Sequence, residues 1–107
     1  MRILLDECIP RRLKDELVGH DTHTVPEMGW AGKKNGDLLN LLVPAGFEVF
    51  LTVDQNLRYE QNLHAASIVV VVLVAPTNRL ADLKPLVPSV LKALAAVQPG
   101  QLIVITS

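Results

Sequence analysis

The chain has 107 residues, half of them hydrophobic, and a formal net charge of -1. That length predicts one domain over residues 1–107, the apolar content excludes disorder, and the near-neutral charge excludes nucleic-acid binding by bulk electrostatics, so any attraction to phosphate has to come from a local patch. A single cysteine, Cys8, excludes an internal disulfide and any multi-cysteine zinc site and fits a reducing compartment. No charged segment leads into a long apolar one as in a signal peptide. The most apolar run, from Ile68 to about Ala75, is far short of the roughly 20 residues of a membrane helix. The expectation is a soluble cytoplasmic protein with no membrane partner.

The first informative stretch is Arg2-Ile3-Leu4-Leu5-Asp6-Glu7-Cys8-Ile9-Pro10. Ile3-Leu4-Leu5 reads as a short buried strand, and Pro10 suits the first position of a helix, where its missing N–H costs nothing. Asp6 and Glu7 are thus expected in a strand-to-helix turn. Leu13, Leu17 and Val18 then fall at helical spacing among charged residues, predicting an amphipathic helix stopped by Gly19. Asp21 to Val25 is rich in β-branched residues and predicts a second strand. Residues 26–36 hold three glycines and predict a loop or short helix, with Trp30, Lys33 and Lys34 in it. Asp37 is placed as an N-cap or first-turn residue of a helix from Leu38 to Ala45, which Pro44 and Gly46 end.

Glu48 to Val53 predicts the third strand, followed by Asp54. A short helix is expected around residues 58–63. Ile68 to Val74 is continuously apolar, the pattern of a strand buried on both faces. Thr77 or Asn78 is placed to cap a helix from Arg79 to Val97, which Pro85 and Pro88 disturb and can split in two. After Gly100, Leu102 to Ile105 predicts a last strand. Strict alternation of strand and helix implies an α/β fold: a three-layer α/β/α sandwich on a parallel sheet of about five strands, joined by right-handed crossovers.

In open parallel sheets ligands bind at the carboxyl edge. Asp6 and Asp54 follow the first and third strands, and Asp37 opens a helix whose start lies at that edge. Carboxylates gathered at one place repel each other and resist ionising together, a cost that a hard divalent cation removes. Mg²⁺ binds through few carboxylates and keeps several waters, and such an ion activates water against a phosphodiester. Asn56 offers a neutral oxygen two residues beyond Asp54. The bland readings are specific too. An aspartate at such a turn is often a cap or turn former, about as good a reading for Asp37 as ligation. Glu7 is read as pairing with Arg11 rather than binding metal. Arg11, Arg12, Lys33 and Lys34 are candidates for binding nucleic-acid phosphates or a merely solvated surface. Trp30 can stack on a base or anchor the core, Cys8 is read as packed, and His20, His23 and His64 have no metal spacing.

Leu4-Leu5-Asp6-Glu7 with Pro10 close behind, Asp37 before Leu38-Leu39, and Leu51-Thr52-Val53-Asp54 together resemble the PIN-like domain family, and within it the small VapC-type toxins of bacterial toxin–antitoxin pairs. The likeness covers the first two thirds or so of the chain. The motif after the third strand usually reads Asp, any residue, Asp, aromatic; here it is Asp54-Gln55-Asn56-Leu57, with an amide in place of the second acid. The resemblance implies a PIN-like α/β/α sandwich, Mg²⁺- or Mn²⁺-dependent cleavage of RNA and a cognate antitoxin as partner. It carries Asp6, Asp37 and Asp54 over as catalytic metal ligands, with Asn56 as a weakened fourth position. A homodimer is also compatible with the high aliphatic content.

Three rivals remain. A phosphoacceptor receiver domain has similarly placed acids but requires a lysine after the last strand, where this chain has Thr106-Ser107. A nucleotide-binding α/β domain requires a glycine-rich loop after the first strand, absent here. A catalytically degenerate PIN-like module that binds protein or RNA is the reading that Asn56 favours.

Overall fold

The computed structural model describes residues 1–55 and 67–106; the short helix expected around residues 58–63 lies outside them. Within the described residues five strands form one sheet: β1 (Arg2–Leu5), β2 (Asp21–Thr24), β3 (Val49–Thr52), β4 (Val69–Val74) and β5 (Leu102–Thr106). Every pairing is parallel, and the spatial order is β2-β1-β3-β4-β5. The helices are α1 (Asn35–Leu42), α2 (Leu80–Leu83) and α3 (Val87–Leu94).

Successive strand residues face opposite sides, and both sides are apolar. Ile3, Leu5, Val49, Leu51, Val71 and Leu73 pack on one side with Leu13, Leu83, Val87 and Val90. Leu4, Phe50, Val70 and Val72 pack on the other with Val25, Leu38, Leu42 and Phe47. This is the expected three-layer α/β/α arrangement. It explains why β1, β3 and β4 read as unbroken apolar runs: a strand covered on both faces has no polar alternation. Trp30 packs against the second cluster, edge-on to Phe47 at 6.1 Å, so it is the anchor of its loop.

Several local expectations change. Pro10 is not inside a helix. Its ψ of 134° is extended, and the following turns, Arg11–Glu16, are 3-10 rather than α. Leu13 N–H donates to Pro10 O at 3.0 Å and Leu17 N–H to Lys14 O at 3.2 Å. The tighter pitch still buries Leu13 and Leu17 over a short span. The helix expected from Leu38 starts earlier, at Asn35, and ends at Leu42, leaving Asp37 in its first turn. The span from Arg79 to Val97 is indeed two helices, joined by a 3-10 turn over Lys84–Leu86, with Pro85 and Pro88 each in an opening turn, where a proline costs least. Neither Thr77 nor Asn78 caps this segment as expected: Arg79 is the N-cap residue and makes no side-chain capping bond, while Thr77, outside the helix, accepts the Arg79 N–H at 3.1 Å and donates to Asp82.

The crossovers do not all share one hand. β1 to β2 and β2 to β3 run in opposite directions across the sheet on opposite faces, so they have the same hand. β4 to β5 runs in the direction of β2 to β3, yet its helices pack on the face of Leu13 and Leu17. The right-handed preference arises where one helix packs back onto the sheet; this connection is instead two short helices with a 3-10 turn between them.

Phe50 is fully buried at the centre of the second cluster. Phe50→Ala is expected to lower stability by about 3–5 kcal/mol, read as an earlier urea midpoint. A second test concerns the Lys14–Glu27 pair, Nζ to Oε1 2.8 Å and each about a third exposed. The hydrogen bond from Lys14 holds the Glu27 carboxyl below its usual range. The folded form therefore binds this proton less readily than the unfolded one. The stabilisation is complete above the ordinary glutamate range and is lost as pH falls through the lower folded value. Lys14→Met is expected to cost about 0.2–1 kcal/mol at neutral pH, with the difference from wild type closing in acid.

Candidate active site

Chain direction creates the site. The chain leaves β1 towards β2 and leaves β3 towards β4, in opposite directions, so the carboxyl ends of β1 and β3 lie at the switch point of the sheet. The register pairs Leu5 with Leu51, and Asp6 N–H donates to Leu51 O at 2.9 Å. Asp6 is thereby held beside Thr52 at this switch point.

Asp6 is 5% exposed and Thr52 is fully buried. One carboxylate oxygen of Asp6, Oδ1, accepts the Glu7 N–H at 2.8 Å. The other, Oδ2, accepts the Thr52 hydroxyl at 2.6 Å. Thr52 Oγ1 in turn accepts the Asp54 N–H at 3.0 Å. A buried carboxylate is tolerated only when hydrogen-bonded, and charge-assisted bonds of this kind are the strong ones. Each oxygen keeps a further lone-pair site, so the group is fixed without being used up.

An open cleft of 560 Å³ lies over this centre, lined by Asp6, Glu7, Lys33, Lys34, Asp37 and Asp54. The three candidate aspartates thus border one depression, although they come from three separate elements. Lys33 and Lys34 are exposed on its rim. Gly29 and Gly32, at φ +76° and +85°, take the left-handed turns that bring their loop round to the cleft. Gly32 N–H donates to both Glu7 oxygens at 3.2 and 3.3 Å. Glu7 therefore holds this loop instead of pairing with Arg11, because the extended backbone at Pro10 breaks the helical turn that would bring residues four apart together. Arg11 and Arg12 are exposed and do not border this cleft. Among the described residues no three His, Cys, Asp or Glu side chains lie close enough together to hold one metal ion. Asn56, the expected weakened ligand, lies outside the described residues.

Cys8 is exposed rather than packed. Its carbonyl accepts the Asn78 side-chain amide at 3.0 Å, and partial desolvation, then the charge of Asp6, push its thiol above the usual range. A thiol so disposed is a poor nucleophile at neutral pH.

The profile of the PIN-like domain family matches residues 1–74. The chain belongs to the PIN-like domain family. The match ends where β4 ends, so it takes in all of Asp6, Asp37 and Asp54 and leaves out β5 and the helices before it. No curated protein and no solved structure matches the chain. PIN-like membership makes this a nuclease-type fold, of a kind that generally uses divalent metals. The donors bordering the cleft fit such an ion in chemistry: all are hard carboxylate oxygens, and Mg²⁺ needs only one or two of them with waters completing its shell. No helix among the described residues is long and apolar enough to cross a membrane.

Nothing in the sequence marks Thr52 strongly as a site residue. Its signal was a lone hydroxyl inside the apolar run Val49 to Val53. Thr52→Val keeps the shape and removes the hydroxyl that donates to Asp6 Oδ2. It is expected to destabilise the fold by about 1–3 kcal/mol, measured by denaturant unfolding, whereas Thr52→Ser, retaining the hydroxyl, should recover part of the loss.

Proposed function

We propose that this PIN-like chain is a divalent-metal-dependent ribonuclease and the toxin component of a toxin–antitoxin pair. The observation that carries the reading is one cleft with two kinds of border: Asp6, Asp37 and Asp54 beside Lys33 and Lys34. Acids alone would repel a polyanionic substrate, and lysines alone would bind it without chemistry. Together they suit a phosphodiester brought to a metal.

In this reading Asp6, Asp37 and Asp54 hold Mg²⁺ or Mn²⁺, with Asn56 as a fourth, neutral donor. When bound, such an ion lowers the pKa of the water that attacks phosphorus and offsets the charge on the leaving oxygen. Asp6 is the fixed member, because Thr52 and the Glu7 N–H set its orientation. Asp37 and Asp54 supply the remaining negative charge. Lys33 and Lys34 take the phosphates on either side of the one cleaved, and the Glu7–Gly32 bond keeps their loop beside the acids. The toxin role rests on the resemblance to VapC-type chains and needs a cognate antitoxin that covers the cleft in the cytoplasm.

A second reading has its own support. Asn56 stands where such chains usually have an acid, and among the described residues no three acids close around a point. Both favour a degenerate PIN-like module that binds RNA or protein without cleaving it.

Calorimetry with Mn²⁺ on wild type and Asp6→Asn separates the two. Saturable binding that the variant loses, with metal-dependent RNA cleavage abolished by Asp54→Asn, is the expected result. Absence of binding up to millimolar metal would decide for the module. Expression in bacteria tests the toxin role: growth should stop with wild type and continue with Asp54→Asn. An active nuclease that leaves growth untouched would remove the toxin assignment alone.

A further inference from the structure

The sheet has two edges, and they are built differently. On the edge strand β2, Asp21 is exposed and lies 3.7 Å from Arg2 and 2.9 Å from His23. Charges on an outer strand guard it against pairing with another chain. The other edge strand, β5, has no such guard. Leu102, Ile103, Val104, Ile105 and Thr106 include no charge, proline or glycine. The four apolar residues alternate between the two faces of the sheet and are only partly buried, whereas Val69 to Leu73 on β4 beside them are buried. Among the described residues β5 pairs with β4 alone.

The ladder to β4 identifies the backbone groups that are spare. Val70, opposite Leu102, donates its N–H to Gln101 O at 3.0 Å. In a parallel pair every second residue turns both backbone groups to its neighbour, so Gln101, Ile103 and Ile105 bond towards β4. Leu102, Val104 and Thr106 then turn N–H and C=O outwards. This spare set is symmetric about Val104. Two copies brought together antiparallel on a twofold axis at Val104 match every member of it. Val104 meets Val104 and Leu102 meets Thr106, each pair exchanging two backbone bonds. Ile103 falls opposite Ile105 of the second copy in the closer, non-bonded pairs, and no like charges face each other along the strand.

We propose that the outer edge of β5 is a homodimer surface, joining two five-stranded sheets into one through antiparallel β5 pairing centred on Val104. The free groups, the apolar side chains and the absence of charge are all self-complementary, as a twofold contact between identical copies requires. A foreign strand would need only the free groups. The family match ends at residue 74, before β5, so this surface does not follow from PIN-like membership. The acid cleft lies at the ends of β1 and β3 with β4 between it and the new junction, so neither copy completes the other's site and the proposal is independent of the ribonuclease reading.

Sedimentation equilibrium at micromolar concentrations tests it. The 11.7 kDa chain is expected to sediment at twice that mass. Val104→Pro removes an N–H that the ladder to β4 does not use, a change an edge strand tolerates, and should give a monomer. Leu102→Glu should also weaken the dimer, by about tenfold, because it sets a carboxylate among apolar pairs. Adding Thr106→Lys to Leu102→Glu should recover about fivefold, since each new lysine then faces the glutamate of the other copy. Within one copy the two positions are about 13 Å apart, too far to pair. Circular dichroism confirms that each variant is folded, and should Val104→Pro unfold, Leu102→Glu and its rescue decide alone. A monomeric wild type, an open-ended assembly, a dimer that survives the folded variants, or a double variant no tighter than Leu102→Glu overturns the proposal.

Discussion

The hydroxyl of Thr52 joins the two strands on which the site is built. It donates to Asp6 at the end of β1 and accepts from the Asp54 backbone at the end of β3. Remove it and a nearly buried carboxylate oxygen, Oδ2, loses the hydroxyl that orients it. The bond depends on register. Leu5 opposite Leu51 sets Asp6 beside Thr52, and a slip by one residue would turn every side chain of β3 to the other face. Phe50 and Leu51 occupy opposite clusters and are both buried, so the core resists that slip. The apolar packing of the sheet and the placement of one polar pair are therefore a single constraint.

Topology decides where this pair can be used. With β2 on one side of β1 and β3 on the other, the chain departs in opposite directions from the two central carboxyl ends, which makes them the switch point of the sheet. The same edge receives the first turn of α1 and the loop of Lys33 and Lys34. The later part of the chain follows a different logic: β4 and β5 extend the sheet through a connection of opposite hand, and the family match stops before it. That portion covers one face of the sheet through Leu83, Val87 and Val90 without bordering the acid cleft.

Much of this was legible in the sequence, for a physical reason. Strands buried on both faces must be apolar throughout, so Ile3 to Leu5 and Ile68 to Val74 could be recognised directly. An acid directly after such a run marks a strand end, which located Asp6 and Asp54, and a first-turn aspartate located Asp37. What stayed hidden depends on contacts between distant residues. Leu13 and Leu17 have α-helical spacing, yet the segment winds as 3-10. Glu7 and Arg11 are four apart, the separation of partners on an α-helix, but the backbone between them is not helical, and Glu7 instead meets a glycine N–H from a loop 25 positions away. Thr52 looked like an ordinary strand residue because its partner is 46 positions distant.

The Glu7 contact also bears on how a chain of net charge -1 can approach a polyanion. Its attraction has to be local, and among the described residues Lys33 and Lys34 border the acid cleft on a loop that its own glycines allow to bend. An unanchored loop would spend lysine side chains on solvent. Held through Gly32, it keeps two positive charges on the rim of a cleft whose floor is negative. Glu7 thus acts on the basic side of the site although it is an acid. The turn Asp6–Glu7 therefore has two duties: its first carboxylate is fixed at the end of β1 by Thr52 and the Glu7 N–H, and its second anchors the basic loop.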